Sequence, residues 1–100
     1  MNMLFPKPAK FKSQKLRDFA RGQDCLLNLP GCTHDPETTV LCHIRRFGIA
    51  GMASKPPDFL AFHACSECHR NEKQAGDDDI LRALMLTQIR VYERFGTLTT

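Results

Sequence analysis

Apolar residues recur at helical spacing near both ends of this 100-residue chain and at strand spacing between them. Leu16, Phe19 and Ala20 stand at i, i+3 and i+4. Ser13, a helix-capping residue type, precedes them and Gly22, a helix-ending one, follows. That pattern predicts a first helix between Ser13 and Gly22. Thr38 to Ile44 is β-branched and apolar, and a strand there puts Val40, Cys42 and Ile44 on one face and Leu41 and His43 on the other. A second strand is expected over Phe59 to His63, after a stretch holding Gly48, Gly51, Ser54 and Pro56–Pro57 that reads as a long turn. Helical propensity returns at Ser66 and is expected to persist to Gly76. A last helix follows, with Asp77, Asp78 and Asp79 as its cap and acidic first turn. Ile80, Leu81, Leu84, Met85, Ile89 and Tyr92 form its expected buried stripe, up to Gly96. The methionines in it are read as core. Residues 1–12 show no clean period and contain Pro6 and Pro8. They are expected to form a loose basic arm, leaving 13–96 as one domain. The elements together predict an α+β fold with helices flanking a short β-β-α unit.

Composition changes this picture in one respect. With 42% hydrophobic and 25% charged residues the chain is neither disordered nor fibrous, but it has no Trp and a single Tyr. A core that small calls for a staple beyond apolar burial. No apolar run approaches the ~20 residues a membrane span requires. The N-terminus is broken by Pro6, Lys7, Pro8 and Lys10 before any export signal develops. A cytoplasmic protein with no membrane partner is therefore expected, and in a reducing compartment paired cysteines are metal ligands rather than disulfides. Cys65 and Cys68, two residues apart across a tight turn, form one pair; Cys25 and Cys32, flanking Pro30–Gly31, form a looser one. Four thiolates from two short loops suit tetrahedral zinc. Cys42, inside a strand, is left as a core thiol. Cys65–Ser66–Glu67–Cys68–His69 also matches a c-type haem attachment sequence, but that chemistry requires export and no haem is expected.

Charge is unevenly spread. Residues 1–30 carry six Lys and Arg against Asp18 and Asp24, whereas residues 61–100 hold six acids against five cations. A basic front is the electrostatic footprint of a phosphate-backbone binder, and Lys15, Arg17 and Arg21 are its candidates beyond the arm. Arg45 and Arg46 follow His43 after one residue, and alternation along the strand would turn only one of them toward a phosphate.

His43 ends one strand and His69 opens a helix beside a thiolate. In a β-β-α unit the two imidazoles can converge, one binding a cation while the other takes a proton from water, which is what phosphodiester hydrolysis needs. His34 and His63 are secondary candidates, read first as loop and strand histidines.

Val40–Leu41–Cys42–His43–Ile44, an irregular Gly/Pro turn, and Cys65–Ser66–Glu67–Cys68–His69–Arg70–Asn71–Glu72–Lys73 together resemble the HNH endonucleases of the ββα-metal superfamily. More narrowly, Ala20–Arg21–Gly22 before Cys25, Pro30–Gly31–Cys32, Pro36–Glu37–Thr38, Lys55–Pro56–Pro57–Asp58 and Ala64–Cys65–Ser66 are similar in order to prophage-encoded nucleases of the YbcO type. The resemblance implies a zinc-stabilised ββα-metal core and a metal-dependent endonuclease acting on DNA in a bacterial host. His43 matches the general base, His69 the ligand of the catalytic divalent cation (Mg²⁺ or another), and Cys25, Cys32, Cys65 and Cys68 the structural zinc knuckle. Two positions depart from the pattern. Cys42 stands where members often carry an Asp or His ligand, and the base-orienting Asn is absent, with Asp58 the nearest polar candidate and also a candidate second ligand of the divalent cation. The alternative these departures leave is a catalytically silent zinc module that binds nucleic acid or a protein partner.

Overall fold

The computed structural model describes residues 11–48 and 55–100. The basic arm expected over 1–12 lies outside them except for Phe11 and Lys12, as does the middle of the long turn. Among the described residues three α-helices and a two-stranded sheet make a small α+β fold. In chain order these are α1 (Gln14–Ala20), β1 (Val40–His43), β2 (Ala61–Ala64), α2 (Ser66–Arg70) and α3 (Asp77–Phe95). Single 3-10 turns at Pro36–Thr38 and Glu72–Gln74 precede β1 and α3 respectively.

α1 forms as its sequence predicts. Ser13 Oγ accepts from Leu16 N at 3.1 Å, and Gly22 takes φ +91°, the left-handed conformation that ends the helix at little steric cost. Leu16 and Ala20 are the buried face. β1 and β2 pair antiparallel with Cys42 opposite Phe62 and His43 opposite Ala61, and Ile44 N extends the ladder by donating to Leu60 O at 3.1 Å. One face, with Cys42, Ile44, Phe62 and Ala64, meets Ile80 and Ala83 of α3 in the core, which the cysteines of the two pairs complete. The free edge of β2 is covered rather than left open. His63 N donates to Thr87 Oγ1 of α3 at 3.0 Å, and Leu26 N donates to His63 O at 2.9 Å.

Four sequence expectations require correction. The first strand begins at Val40, not Thr38, because Thr38 closes a 3-10 turn, its N donating to Asp35 O at 3.0 Å. The second strand begins at Ala61, not Phe59, because Leu60 N closes a turn on Pro57 O at 2.9 Å. The helix from Ser66 stops at Arg70. Asn71 departs from helical geometry at φ −103°, ψ 19°, and the chain continues as a 3-10 turn. The largest difference is on α3, where the cap is Gly76 and the buried residues are Ile80, Ala83, Thr87 and Val91. Leu81, Met85, Ile89 and Tyr92, four of the six predicted core positions, are each more than half exposed. The actual core stripe uses a small residue at Ala83 for close approach to the sheet and a hydroxyl at Thr87 to satisfy the strand edge. Neither advertises burial in a hydrophobic pattern.

A candidate active site beside a four-cysteine cluster

Cys25 and Cys32 are presented by the loop between α1 and the 3-10 turn. The turn at Pro30–Gly31, with Gly31 at φ +88°, reverses the chain so that Cys32 N donates to Leu29 O at 2.9 Å. Cys65 is the N-cap of α2 and Cys68 lies in its first turn, Cys68 N pointing to Cys65 Sγ at 3.5 Å. The ligand atoms of the four all lie within 4.8 Å of one another. Four sulfurs at the usual zinc–sulfur distance in a tetrahedron sit about 3.8 Å apart, so little adjustment separates this cluster from a metal site. Backbone donors already face the sulfurs, Leu29 N to Cys68 Sγ and His34 N to Cys32 Sγ, both at 3.4 Å. Burial pushes the Cys65 thiol up, but the Cys68 and Thr33 backbone N–H groups and the Thr33 and Cys32 side chains outweigh it and bring it down to about 6. Burial holds Cys68 and Cys32 above the ordinary thiol value. A dication held among the four sulfurs would favour the thiolate form of its ligands. The cluster can hold a metal ion, and its donor set is that of structural zinc. Cys42 takes no part; it is buried in the sheet, and desolvation drives its thiol up to about 12.

The second feature is a cavity of about 700 Å³ between α1, β1 and the α2 segment, with His43 and His69 both in its wall. β1 delivers His43. α2 delivers His69, which is exposed and fixed in sequence and space by the cysteine before it. His43 Nε2 lies 2.7 Å from Asp58 Oδ1. Asp58 is only 2% exposed, and its Oδ2 accepts from Ser13 N at 2.7 Å and from Arg17 Nε at 3.1 Å. Burial works to raise the Asp58 pKa, yet the bonds from Arg17, His43 and Ser13 prevail and keep it below the usual carboxylate value. For His43 desolvation lowers the pKa and the Asp58 contacts raise it. Desolvation wins, leaving a neutral imidazole at pH 7. An ionised carboxylate can only accept. The His43 proton therefore resides on Nε2, and Nδ1 is left as the acceptor nitrogen.

The basic residues divide into three groups. Arg21, Arg45 and Lys55 line the cavity and are exposed, and Arg17 lines it while anchoring Asp58. Arg46 faces the other way. Its NH1 donates to Ala75 O and Asp77 Oδ1, both at 2.9 Å, and its NH2 to Glu72 O at 2.7 Å, pinning the end of β1 to the start of α3. Lys15 lies apart from the cavity, beside Phe19 and Arg94. Glu72 joins the cavity wall, and so does Thr39, whose buried Oγ1 has no hydrogen-bond partner among the described residues. His34 adjoins the cysteines, its Nδ1 3.7 Å from Cys32 Sγ. His63 is fully buried, its ring edge-on to Phe19, and burial together with the Arg90 charge lowers its pKa to about 4.

Sequence reasoning missed the Arg17–Asp58 anchor and the place of Glu72. A signal existed for the first: Asp58 sits between Pro56–Pro57 and Phe59–Leu60, and a carboxylate in so apolar a segment needs a cation when buried.

Fold and site thus define a small α+β domain in which a four-cysteine cluster fixes a helix beside a basic, two-histidine cavity. A family model described as "Putative nuclease YbcO" matches residues 14–97, and the chain belongs to that family. It is 53% identical over 55 residues to the "Putative nuclease YbcO" of Escherichia coli strain K12, covering 54% of this chain and 57% of that protein. The corresponding protein of Enterobacteria phage 82 matches with the same identity and coverage. The aligned part thus spans little more than half the length of these curated relatives. A solved structure described as "a putative bacteriophage protein" from E. coli K-12 substrain MG1655 superposes with a TM-score of 0.57 at 32% identity, covering 80% of this chain and 98% of that one. No helix among the described residues is long and apolar enough to cross a membrane.

Proposed function

We propose that the protein is a metal-dependent endonuclease of the HNH type, hydrolysing DNA phosphodiester bonds in the cytoplasm of a bacterial host. The observation that carries this reading is the neutral His43, oriented by a buried carboxylate, in one basic cavity with His69. The succession β1, β2, α2 with the cysteine pair at the head of α2 supports a ββα-metal core, and the family's description supports a nuclease.

In this mechanism Arg45, Arg21 and Lys55 hold the phosphate backbone at the rim, with specificity for shape rather than base sequence. His43 Nδ1 takes a proton from the attacking water. Asp58 is a positioning residue that fixes the tautomer and stabilises the imidazolium that forms. Its oxygens already accept from Ser13, Arg17 and His43, so this reading assigns the cation to other residues in the wall. His69 would hold the divalent cation, with Glu72 the hard oxygen donor available in the same wall; a bound cation would supply Lewis-acid stabilisation of the phosphate and the leaving oxygen. Cys25, Cys32, Cys65 and Cys68 would hold zinc, whose contribution is to folding.

A plasmid-nicking assay with added Mg²⁺ or Mn²⁺ tests the reading. Wild type should convert supercoiled to open-circle DNA, and His43→Ala should not, while binding DNA and retaining zinc. Equal activity of the two would refute His43 as base. Binding without cleavage by wild type would leave the silent zinc module.

A further inference from the structure

The face of α3 turned away from the sheet is apolar along most of its length. Leu81, Met85, Ile89 and Tyr92 are 51–58% exposed, and their spacing along the helix puts them in one stripe away from the buried Ile80, Ala83 and Val91. Scattered exposed apolar residues need no explanation, but a continuous stripe on a 19-residue helix, about 28 Å long, does. Beside its N-terminal half lies an apolar groove walled by Phe47, Leu81 and Leu84. Phe47 is 58% exposed and adopts φ 66°, an unfavourable conformation for a large side chain.

What covers this face is indicated by its symmetry. Reversed end to end about the middle of the helix, the stripe closely superposes on itself: Leu81 exchanges with Tyr92 and Met85 with Ile89. The charges on one flank obey nearly the same operation, because Arg82 exchanges with Glu93. In an antiparallel helix pair, residues on a given flank meet the same flank of the partner, so Arg82 would face Glu93 and Tyr92 would enter the groove beside Leu81 and Phe47. We propose that α3 is the interface of a two-fold homodimer, packed antiparallel on α3 of a second copy. Such an interface is isologous, with every contact made twice. Arg82 also pairs with Asp79 of its own helix at 2.8 Å but is 60% exposed, leaving guanidinium donors for a second carboxylate. The proposal is independent of the reaction above, since no α3 residue lines the His43 cavity.

Sedimentation velocity on the zinc-loaded full chain, over a concentration series, tests it. Wild type should sediment as a dimer in reversible equilibrium with monomer. Leu81→Glu and Ile89→Glu should each give monomer with unchanged zinc content and circular dichroism. Arg82→Glu and Glu93→Arg should each raise the dissociation constant at least about tenfold, since each sets like charges together twice. The double variant should recover most of that loss, a result that the pair within one helix cannot produce. A wild-type monomer at every concentration would overturn the proposal, whether the stripe then binds another protein or residues 1–10 of its own chain. A dimer indifferent to all four substitutions would overturn it too.

Discussion

Replacing Asp58 by Asn changes one atom and removes one charge, and the surrounding hydrogen bonds determine the effect on His43. Asp58 Oδ2 receives two donors that cannot reverse, Ser13 N at 2.7 Å and Arg17 Nε at 3.1 Å. An Asn must therefore turn its carbonyl oxygen toward them and its NH₂ toward His43 Nε2, which now has to accept. The imidazole proton moves to Nδ1, and the nitrogen assigned to take the proton from the attacking water loses its lone pair. Loss of a general base costs about 10²–10⁴ in rate. The fold should lose only about 1–2 kcal/mol, because Ser13 N and Arg17 Nε keep their acceptor; the long bond from Arg17 NH2 to Oδ1, at 3.4 Å, is lost with the charge, and the Arg17 side chain, 37% exposed, recovers part of this from water. Single-turnover nicking under saturating divalent cation measures the first quantity, and thermal melting the second. The pH profile adds a sign. The wild-type rate should fall on acidification through a pKa below the ordinary 6.5, because desolvation disfavours the imidazolium. In Asp58→Asn that limb should be displaced or absent. A well-folded variant within about threefold of wild type at all pH values would show that Asp58 does not set the tautomer, and the assignment of His43 Nδ1 would go with it.

Purified protein should carry one zinc per chain, read by metal analysis. Chelation should unfold it, with Cys65→Ala or Cys68→Ala failing to fold and Cys42→Ala losing only about 1–3 kcal/mol by melting. His69→Ala should weaken activation by divalent cation so that raising the cation concentration restores activity in part, a rescue that His43→Ala should not show in the same titration. Arg45→Ala should lower the salt dependence of DNA binding by about one unit of slope in a fluorescence titration. Arg46→Ala should leave that slope unchanged and lower the melting temperature, since its two backbone carbonyl partners lose their donors.

Local signals are legible where the chemistry is local. Ser13 and Gly22 bracket α1 as their capping preferences require, and the cysteine pairs converge because turn geometry and the two-residue spacing leave few alternatives. The two faces of β1 follow from alternation along the strand. What escapes the sequence is set by partners distant along the chain. The hydrophobic pattern displaces the core face of α3 because Leu, Met and Ile outweigh Ala83 and Thr87 on any hydrophobic scale, while burial is decided by how closely the helix must approach β2. The same reason hides Arg46, whose place in a run of two arginines says nothing about carbonyls 26 and 29 residues away.

Asp58 ties these levels together. It is held from α1 by the backbone of Ser13 and the side chain of Arg17, more than 40 residues earlier, and it in turn holds His43 on β1. The residue that caps α1 through its hydroxyl thus also orients the candidate base through its amide, so the helix start and the tautomer of His43 are fixed by one residue. The cysteine cluster plays the corresponding part for His69: Cys65 caps α2, Cys68 sits in its first turn, and His69 follows. The two imidazoles are therefore positioned by separate devices, one a buried ion pair and the other a four-sulfur cluster. Loss of the first should disturb His43 and leave His69 in place, whereas loss of the second should take the fold with it, which is why variants of Asp58 and of the cysteines should differ in kind. An Asp58 variant keeps a folded domain with His69 in position. A cysteine variant loses the anchor of α2, and with it a part of the core to which all four sulfurs belong or pack.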